Sequence, residues 1–377
     1  MTPKKATQFA ALAAATGLLL TGCAGDSAPG GGSVIPDGQE LGIVGVEADI
    51  ADITEYCGDE PVKVAYADGA GNNAWRAITR AIFEEWAAKC DNITDVIYTD
   101  AQGDTQKAIS DINSLVSQGV DVIVSFVDGG EALLPTVRQA TQQGVSFVPL
   151  VGSPGGEPGV DYVDFVSEDI VTYGEGLARW TLEQMGGTGN LVMLGGGAGN
   201  SYSQNVYEGV LRALEDYPDV TLLNEDGFVV TDWEPGKIQQ VVAGLITAHG
   251  QIDGIVSDYG GGSVGGIRAF LAAEKDIPVW SANDSNEFAC LWDEYGSEDS
   301  KYQIATMSSR NWVIRAALNK GLAAHNGIVN TDPSTFNLEI IEDSTDPALQ
   351  PTCEPSLPAD AILSSGLSVE SMQELFN

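Results

Sequence analysis

The sequence offers few of the side chains that carry out enzyme chemistry. Its two histidines, His249 and His325, each come just before a Gly or an Asn-Gly pair at a predicted helix end, where a cation complements the helix dipole. The glycine-rich run 195–199 could approach a phosphate, but it lacks the lysine of a P-loop. No HExxH, CxxC or Cys-His arrangement is present, so no metal site is expected. These observations favour a binding protein without a cofactor over an enzyme.

The start of the chain predicts a signal peptide over residues 1–22. Lys4 and Lys5 are followed by an uncharged run, 9–20, that is too short to span a bilayer. The run leads into the tetrapeptide LTGC ending at Cys23, which resembles the lipobox of bacterial lipoproteins, where the cysteine is lipidated. We therefore expect an extracytoplasmic protein that Cys23 anchors to the cell membrane.

The residues after this cysteine predict a tether. The stretch 24–39 is rich in Gly, Ser and Pro and cannot bury enough apolar surface to order itself, so 23–58 is expected to be the lipidated cysteine and a flexible linker. The roughly 320 residues that follow exceed one typical core and indicate two lobes.

Four cysteines remain, an even number that predicts two disulfides in an exported protein. Three pairings are possible. Cys57 precedes a predicted strand and Cys90 ends the helix after it, which favours Cys57–Cys90 and leaves Cys290–Cys353, although the sequence does not settle the pairing.

The formal net charge of -37 makes nucleic acid a poor partner. An excess of Asp and Glu of this kind is more typical of a solvated surface, as in a saline habitat, than of an acidic binding site.

Apolar runs alternate with helical patterns from residue 61 onward. Two such series are present, and each predicts a parallel sheet covered on both faces by helices. The fold class is therefore α/β, with two doubly wound lobes. The predicted strands are 62–67, 94–99, 120–126, 145–150, 162–166, 190–195, 220–230, 253–257, 278–282, 303–308 and 336–341.

Loops that follow the strands are the expected binding site, because ligands of doubly wound sheets sit at the carboxyl ends of the strands. This rule selects the loops 68–76, 126–131, 150–159, 196–206, 231–236, 258–263, 283–287 and 308–310.

In the order of several segments, residues 61–341 resemble the type I periplasmic sugar-binding proteins, the ribose-binding-like receptors of ABC importers. Each motif is weak alone, and their collinear order carries the resemblance. The matching segments are GNNAW (71–75), GDTQKAISDINSLVSQGVDVIVSF (103–126), SEDIVTYGEGLARW (167–180), the stretch 232–270 and SANDSNEF (281–288).

The resemblance implies a monomer whose two lobes, joined by three crossings, close on a small solute and present it to an importer permease. Because of the crossings each lobe is discontinuous. The expected first lobe is 59–167 with 309–335, the second is 168–308 with 336–363, and 364–377 form a tail.

Carried over position by position, the resemblance also implies ligand contacts. A site for a sugar or polyol needs carboxylates or amides together with aromatic faces. The residues that the resemblance implies are Asn73, Trp75, Arg76, Trp233, Tyr259, Asn283, Asp284 and Ser309. Four more candidates come from the residues themselves. Gln204 and Asn205 lie near a family arginine position that is not matched, and Asp128 and Asp258 could make the cleft attractive to a cation.

Two charged positions of the family pattern are absent, since Val151-Gly152 and Val206 stand in their places. The ligand could therefore differ from a common pentose or hexose, and a nucleoside or cationic solute stays an alternative. Two other functions also stay open: a receptor that signals to a membrane sensor, and a lipid-anchored hydrolase.

Overall fold

The computed structural model of the protein describes residues 34–71, 73–296 and 302–376. The strands are β1 (Val44–Gly45), β2 (Val62–Asp68), β3 (Ile93–Asp100), β4 (Val122–Ser125), β5 (Ser146–Pro149), β6 (Ser167–Glu168), β7 (Gly189–Gly195), β8 (Val220–Leu222), β9 (Val229–Val230), β10 (Gly254–Ser257), β11 (Val279–Asn283), β12 (Ile304–Met307), β13 (Thr335–Phe336) and β14 (Ile340–Asp343). The helices are α1 (Ala74–Ala87), α2 (Thr105–Ser117), α3 (Leu134–Gln142), α4 (Ile170–Gln184), α5 (Ser201–Leu214), α6 (Pro235–His249), α7 (Gly260–Ala272), α8 (Asn286–Tyr295), α9 (Val313–His325) and α10 (Val369–Phe376).

The first lobe is a parallel sheet of four strands in the order β3-β2-β4-β5. The strand residues alternate between two cores, as a sheet covered on both faces requires. Val64 and Tyr66 pack with α1 and α9, whereas Ala65 and Ile123 pack with α2 and α3. Helix α9 thus completes the first lobe although it follows the second lobe in the chain.

The second lobe is a sheet in the order β14-β12-β11-β10-β7-β8, with β9 also paired to β7. All its strand pairs are parallel except β12 with the edge strand β14. The predicted α/β architecture with two doubly wound lobes is confirmed.

Some predicted elements differ in the structure. The expected strand 220–230 is interrupted by a turn, because the Asn224 side chain accepts a hydrogen bond from Met193 N at 3.0 Å and donates one to Gly227 O at 2.7 Å. The expected strand 336–341 is likewise divided between β13 and β14, and 162–166 form no regular strand. Helix α8 was not predicted, although it buries Phe288 and Leu291 at helical spacing.

Short parallel strands connect the lobes. Strands β1, β13 and β6 form a three-stranded sheet, so two of the three implied crossings run side by side, and the third follows β12. The C-terminal segment makes a fourth passage, because α10 packs on α1 and Ser371 Oγ donates to Glu85 Oε1 at 3.0 Å.

The expected flexible tether is ordered from residue 34 onward. Ile53 is fully buried, and the Gln39 side chain is hydrogen-bonded to both the N–H (2.8 Å) and the carbonyl (2.7 Å) of Asn330. Composition alone predicted a linker over 23–58 because it gives no weight to isolated apolar anchors such as Ile35 and Ile50, which pack on the main core. The signal peptide and Cys23 lie outside the described residues.

Both expected disulfides are present. Cys57–Cys90 joins the segment before β2 to the end of α1, with 5.5 Å between the Cα atoms. Cys290–Cys353 joins α8 to the C-terminal loop, with a Cα separation of 4.6 Å. The favoured pairing is confirmed. Within the described ranges, no helix is both long and apolar enough to cross a membrane.

Candidate ligand-binding site

A cavity lies where the carboxyl ends of the strands of both sheets face each other. Its residues follow β2, β4, β7, β9, β10, β11 and β12, as the strand-end rule requires. It is lined by Asn73, Trp75, Arg76, Phe126, Tyr202, Trp233, Asp258, Tyr259, Asn283 and Arg310.

Arg76 dominates the wall from the first lobe. Asn73 caps α1 by accepting a hydrogen bond from Arg76 N at 3.1 Å, which fixes the first helical turn beside the cavity. The guanidinium forms ion pairs with Asp68 (2.7 Å) and Asp128 (3.0 Å) and lies 3.5 Å from the centre of the Phe126 ring. Burial raises the pKa of the Asp128 carboxyl to about 6, although Arg76 opposes the shift. The wall is therefore a buried network of ions that satisfy one another.

The wall from the second lobe is built around Asp258. This carboxylate is 3% exposed and accepts hydrogen bonds from Ser203 Oγ (2.5 Å) and Trp233 Nε1 (2.8 Å). Burial raises the pKa of Asp258 to about 6, and these hydrogen bonds only partly oppose the shift. Asp258 thus faces the cavity with neutral donors as its hydrogen-bond partners.

Trp233 reaches the cavity from an unusual turn. Asp232 and Trp233 both have positive φ angles, of 53° and 57°, a conformation that costs non-glycine residues energy and is found at ligand sites. The indole lies against Gly196, where a Cβ atom would be only 2.4 Å from the ring. The glycine run that could have approached a phosphate therefore makes room for the tryptophan.

Arg310 enters the cavity from the hinge. It follows β12, has a φ of 46°, and pairs with Glu168 of β6 at 2.8 Å. Its guanidinium carbon lies 4.8 Å from the centre of the Tyr202 ring. The hinge therefore contributes a second buried guanidinium that is already neutralised.

Seven of the twelve predicted ligand residues line this cavity: Asn73, Trp75, Arg76, Trp233, Asp258, Tyr259 and Asn283. Asp128 lies behind Arg76 and faces an adjoining opening of the cleft instead.

Gln204 and Asn205 do not line the cavity. Gln204 is exposed and Asn205 is half-buried. Helix α5 begins at Ser201, and each residue of a helix is rotated by about 100° from the last. That start turns Tyr202 toward the cavity and places Gln204, two residues further on, on the opposite side of the helix. Asn205 follows Tyr202 by three residues and lies one turn further along the same side.

Asp284 and Ser309 belong to the hinge and do not line the cavity, so their role as ligand contacts stays a prediction. Asp284 accepts hydrogen bonds from Ser309 N (2.7 Å), Ser364 N (3.0 Å) and Ser364 Oγ (2.7 Å), so both of its oxygens are engaged. The Ser309 carbonyl in turn accepts from Trp75 Nε1 at 2.7 Å. These contacts tie the C-terminal segment and both lobes together.

Sequence reasoning missed Phe126, Tyr202 and Arg310 as lining residues. All three fall in loops that the strand-end rule selected, so loop position was the available signal. Two charged positions of the family pattern are absent, yet two guanidiniums still reach the cavity. Val151 and Val206 are fully buried, while Arg76 and Arg310 bring positive groups from other positions.

The string GGSVG over 261–265 fits the G-x-S-x-G pattern of serine hydrolases, and the motif search on the sequence missed it. In the structure it lies within α7, where Ser263 Oγ donates to the Tyr259 carbonyl at 2.9 Å. His249 and His325 both lie in the last turns of helices. No nucleophile-base pair arises from these residues. Within the described residues, no group of three or more His, Cys, Asp or Glu side chains is placed to hold a metal ion.

Comparison with known proteins agrees with this arrangement. The family profile described as "Periplasmic binding protein domain" matches residues 65–345. The chain is 27% identical to the xylitol-binding protein of Mycolicibacterium smegmatis over 70% of its own length and 73% of that protein. It is 25% identical to the D-xylose-binding periplasmic protein of Escherichia coli over 47% of this chain and 53% of that one.

Solved structures show the same fold. A periplasmic solute-binding protein of an ABC transporter from Actinobacillus succinogenes, with bound D-allose, gives a TM-score of 0.64 at 21% identity, covering 74% of this chain and 97% of that chain. A galactofuranose-binding protein gives a TM-score of 0.65 at 18% identity, covering 74% and 94%. The chain therefore belongs to the family of periplasmic binding protein domains, solute-binding components of transport systems and not enzymes.

Proposed function

We propose that the protein captures a small polar solute, a sugar, sugar derivative or polyol, between its two lobes and delivers it to an ABC importer. The observation that carries the proposal is the cavity between the lobes, where aromatic faces stand beside a buried carboxylate and an amide.

The polar groups suit a hydroxyl-rich ligand. Asp258 offers carboxylate lone pairs, and Asn283 uses its Oδ1 to accept from Gly260 N at 2.5 Å, which leaves its NH₂ group to donate. The indole of Trp233 and the ring of Tyr259 offer apolar faces against the C–H surface of a sugar. The names of the related xylitol-, xylose- and ribose-binding proteins support the same ligand class.

Ligand binding is expected to couple to lobe closure, because the walls of the cavity come from different lobes and from the hinge. The solute stabilises the closed form by bridging Asp258 and Trp233 on one side to Asn73 and Arg76 on the other. The importer permease is the partner that this closed form would meet.

The attachment of the protein to the membrane is inferred from the sequence. We propose that a lipid on Cys23 holds the protein at the outer face of the cell membrane. A Cys23→Ser variant is then expected to move from the membrane fraction to the soluble fraction. A wild-type protein found in the soluble fraction would count against the anchor.

The ligand proposal is tested by calorimetry with xylitol, D-xylose, D-ribose and D-allose, together with small-angle scattering. At least one solute should bind with a Kd in the nanomolar to micromolar range and make the protein more compact. Trp233→Phe should weaken this binding about tenfold, since the smaller ring offers less apolar contact to the solute and Asp258 loses a donor that orients it. Trp86→Phe is the matched control, because Trp86 bonds to Asn319 away from the cavity. No binding across a wider panel of sugars and polyols would reject the proposal.

A further inference from the structure

Positive charge inside the cavity is already neutralised by the protein itself. Arg76 is paired with two carboxylates, Asp68 and Asp128, and Arg310 is paired with Glu168. Neither guanidinium is therefore left as a free anchor for an anionic ligand. With Asp258 added, two guanidiniums stand against four carboxylates around one small cavity.

Asp258 is the one of these four carboxylates that has no ion-pair partner among the described residues. Its hydrogen-bond donors, Ser203 Oγ and Trp233 Nε1, are both neutral. Arg310 attracts it only at longer range, without an ion pair between them within the described contacts. A buried carboxylate in this state gains the most from a cation that arrives with the ligand.

The aromatic rings of the cavity also differ in whether a guanidinium of the protein covers them. The Arg76 guanidinium occupies the face of Phe126, and the Arg310 guanidinium lies over Tyr202. Trp233 and Tyr259 also line the cavity, and the structure shows no cation stacked on either ring within the described residues. A carboxylate flanked by free aromatic faces is the arrangement that binds an ammonium group.

The opening of the cleft beside Trp233 and Tyr259 is acidic as well. It is lined by Asp232, Glu234 and Asp360 together with Trp233 and Tyr259. Lys237 pairs with Asp232, and this leaves the other two carboxylates of the opening to act on an approaching solute. An anionic sugar acid or sugar phosphate would meet repulsion both on entry and inside.

We propose that the solute carries an amino group: it is an amino sugar or amino polyol, whose ammonium binds Asp258 between the faces of Trp233 and Tyr259. This inference rests on the proposed function and narrows its ligand class. The hydroxyl groups of the same molecule bind Asn283 and Asn73.

Matched ligands test the inference by calorimetry at pH 7.5. The pairs are D-glucosamine with D-glucose, D-galactosamine with D-galactose, and 1-amino-1-deoxysorbitol with sorbitol, with gluconate as the anionic member. In at least one pair the amine should bind ten times more tightly than the hydroxyl compound or better. Gluconate should bind at least ten times more weakly than sorbitol.

An Asp258→Asn variant separates the charge from the shape of the site, since the amide keeps the size of the carboxylate. The ratio of amine to hydroxyl affinity should fall at least tenfold in this variant. The matched control is Asp276→Asn, an exposed residue of the same lobe that should leave the ratio as it is. Melting curves establish that both variants are folded.

Three outcomes would overturn the inference: equal binding of the two members in every pair, tight binding of gluconate, or an amine preference that persists in Asp258→Asn. The proposed function survives each of these outcomes as long as at least one sugar, sugar derivative or polyol binds. Absence of binding by any sugar, amine or polyol instead rejects the proposed function together with the inference.

Discussion

The two walls of the cavity come from lobes of the same architecture, yet they are built differently. On the first-lobe wall, Arg76 is held between two carboxylates and against Phe126, so every charge has its partner within the protein. On the second-lobe wall, Asp258 has only neutral donors, and Trp233 stands on a turn with positive φ angles. The difference indicates that the first wall is a preformed support, whereas the second selects the ligand.

The strongest test of this difference between the walls is to remove Arg76, the central cation of the first wall. Arg76→Met leaves Asp68 and Asp128 buried without their partner, which destabilises a protein by about 3–5 kcal/mol. The free energy of unfolding, measured by denaturant titration with the disulfides intact, should fall by this amount.

Arg80→Met is the matched control on the same helix. Arg80 pairs with Glu84 at the surface, where both side chains are nearly half exposed, and such a pair contributes about 0–1 kcal/mol. Similar losses in the two variants would show that the Arg76 network does not support the first wall.

A second prediction concerns the tryptophan of the second wall. Gly196→Ala would place a methyl group 2.4 Å from the Trp233 indole, so the ring must move and lose its hydrogen bond to Asp258. We expect about a tenfold loss of ligand affinity, because the displaced indole offers less apolar contact to the solute. The lost hydrogen bond to the Asp258 carboxylate lowers stability by about 1.5–3 kcal/mol. Calorimetry with the best-binding solute measures the effect.

The neighbouring Gly197 provides the control. A Cβ atom there would come no closer than 3.6 Å, to Asp232 Oδ1, and Gly197→Ala should bind like the wild type. If both variants bind normally, the position of the Trp233 ring does not determine affinity.

Much of this arrangement could be predicted from the sequence. Buried parallel strands are continuous apolar runs, so their ends, and the loops that carry Trp75, Trp233 and Asp258, were visible without a structure. The position of Cys57 and Cys90 on either side of one strand-helix unit favoured the disulfide pairing, and the structure settles it.

The rest depends on contacts between distant parts of the chain. Asp284 has the residue type of a ligand contact, but Ser364, 80 residues further along, engages its carboxylate. Arg310 lies at the cavity as the ion-pair partner of Glu168, which belongs to another crossing. Whether Tyr202 or Gln204 faces the ligand depends on where α5 begins, and a shift of one residue rotates a side chain by about 100°.

The smallest predicted effect is a pH dependence that also distinguishes the walls. Burial raises the pKa of Asp258 in the folded protein to about 6, whereas in the unfolded chain it is about 3.9. Between these two pH values the folded state binds a proton that the unfolded state does not. The protonation of Asp258 therefore stabilises the folded protein as the pH is lowered from 7 to 5, and this stabilisation is lost as the pH rises again.

Asp258→Asn removes this linkage without removing that of Asp128, whose pKa is also raised to about 6, or the overall repulsion of a chain with a net charge of -37. The free energy of unfolding of the variant, relative to that of the wild type, should therefore be about 1 kcal/mol higher at pH 7.5 than at pH 5. Asp276→Asn should show a constant difference over the same range, since its side chain is exposed. A constant difference for Asp258→Asn as well would mean that its charge is compensated within the protein, and the second wall would then resemble the first.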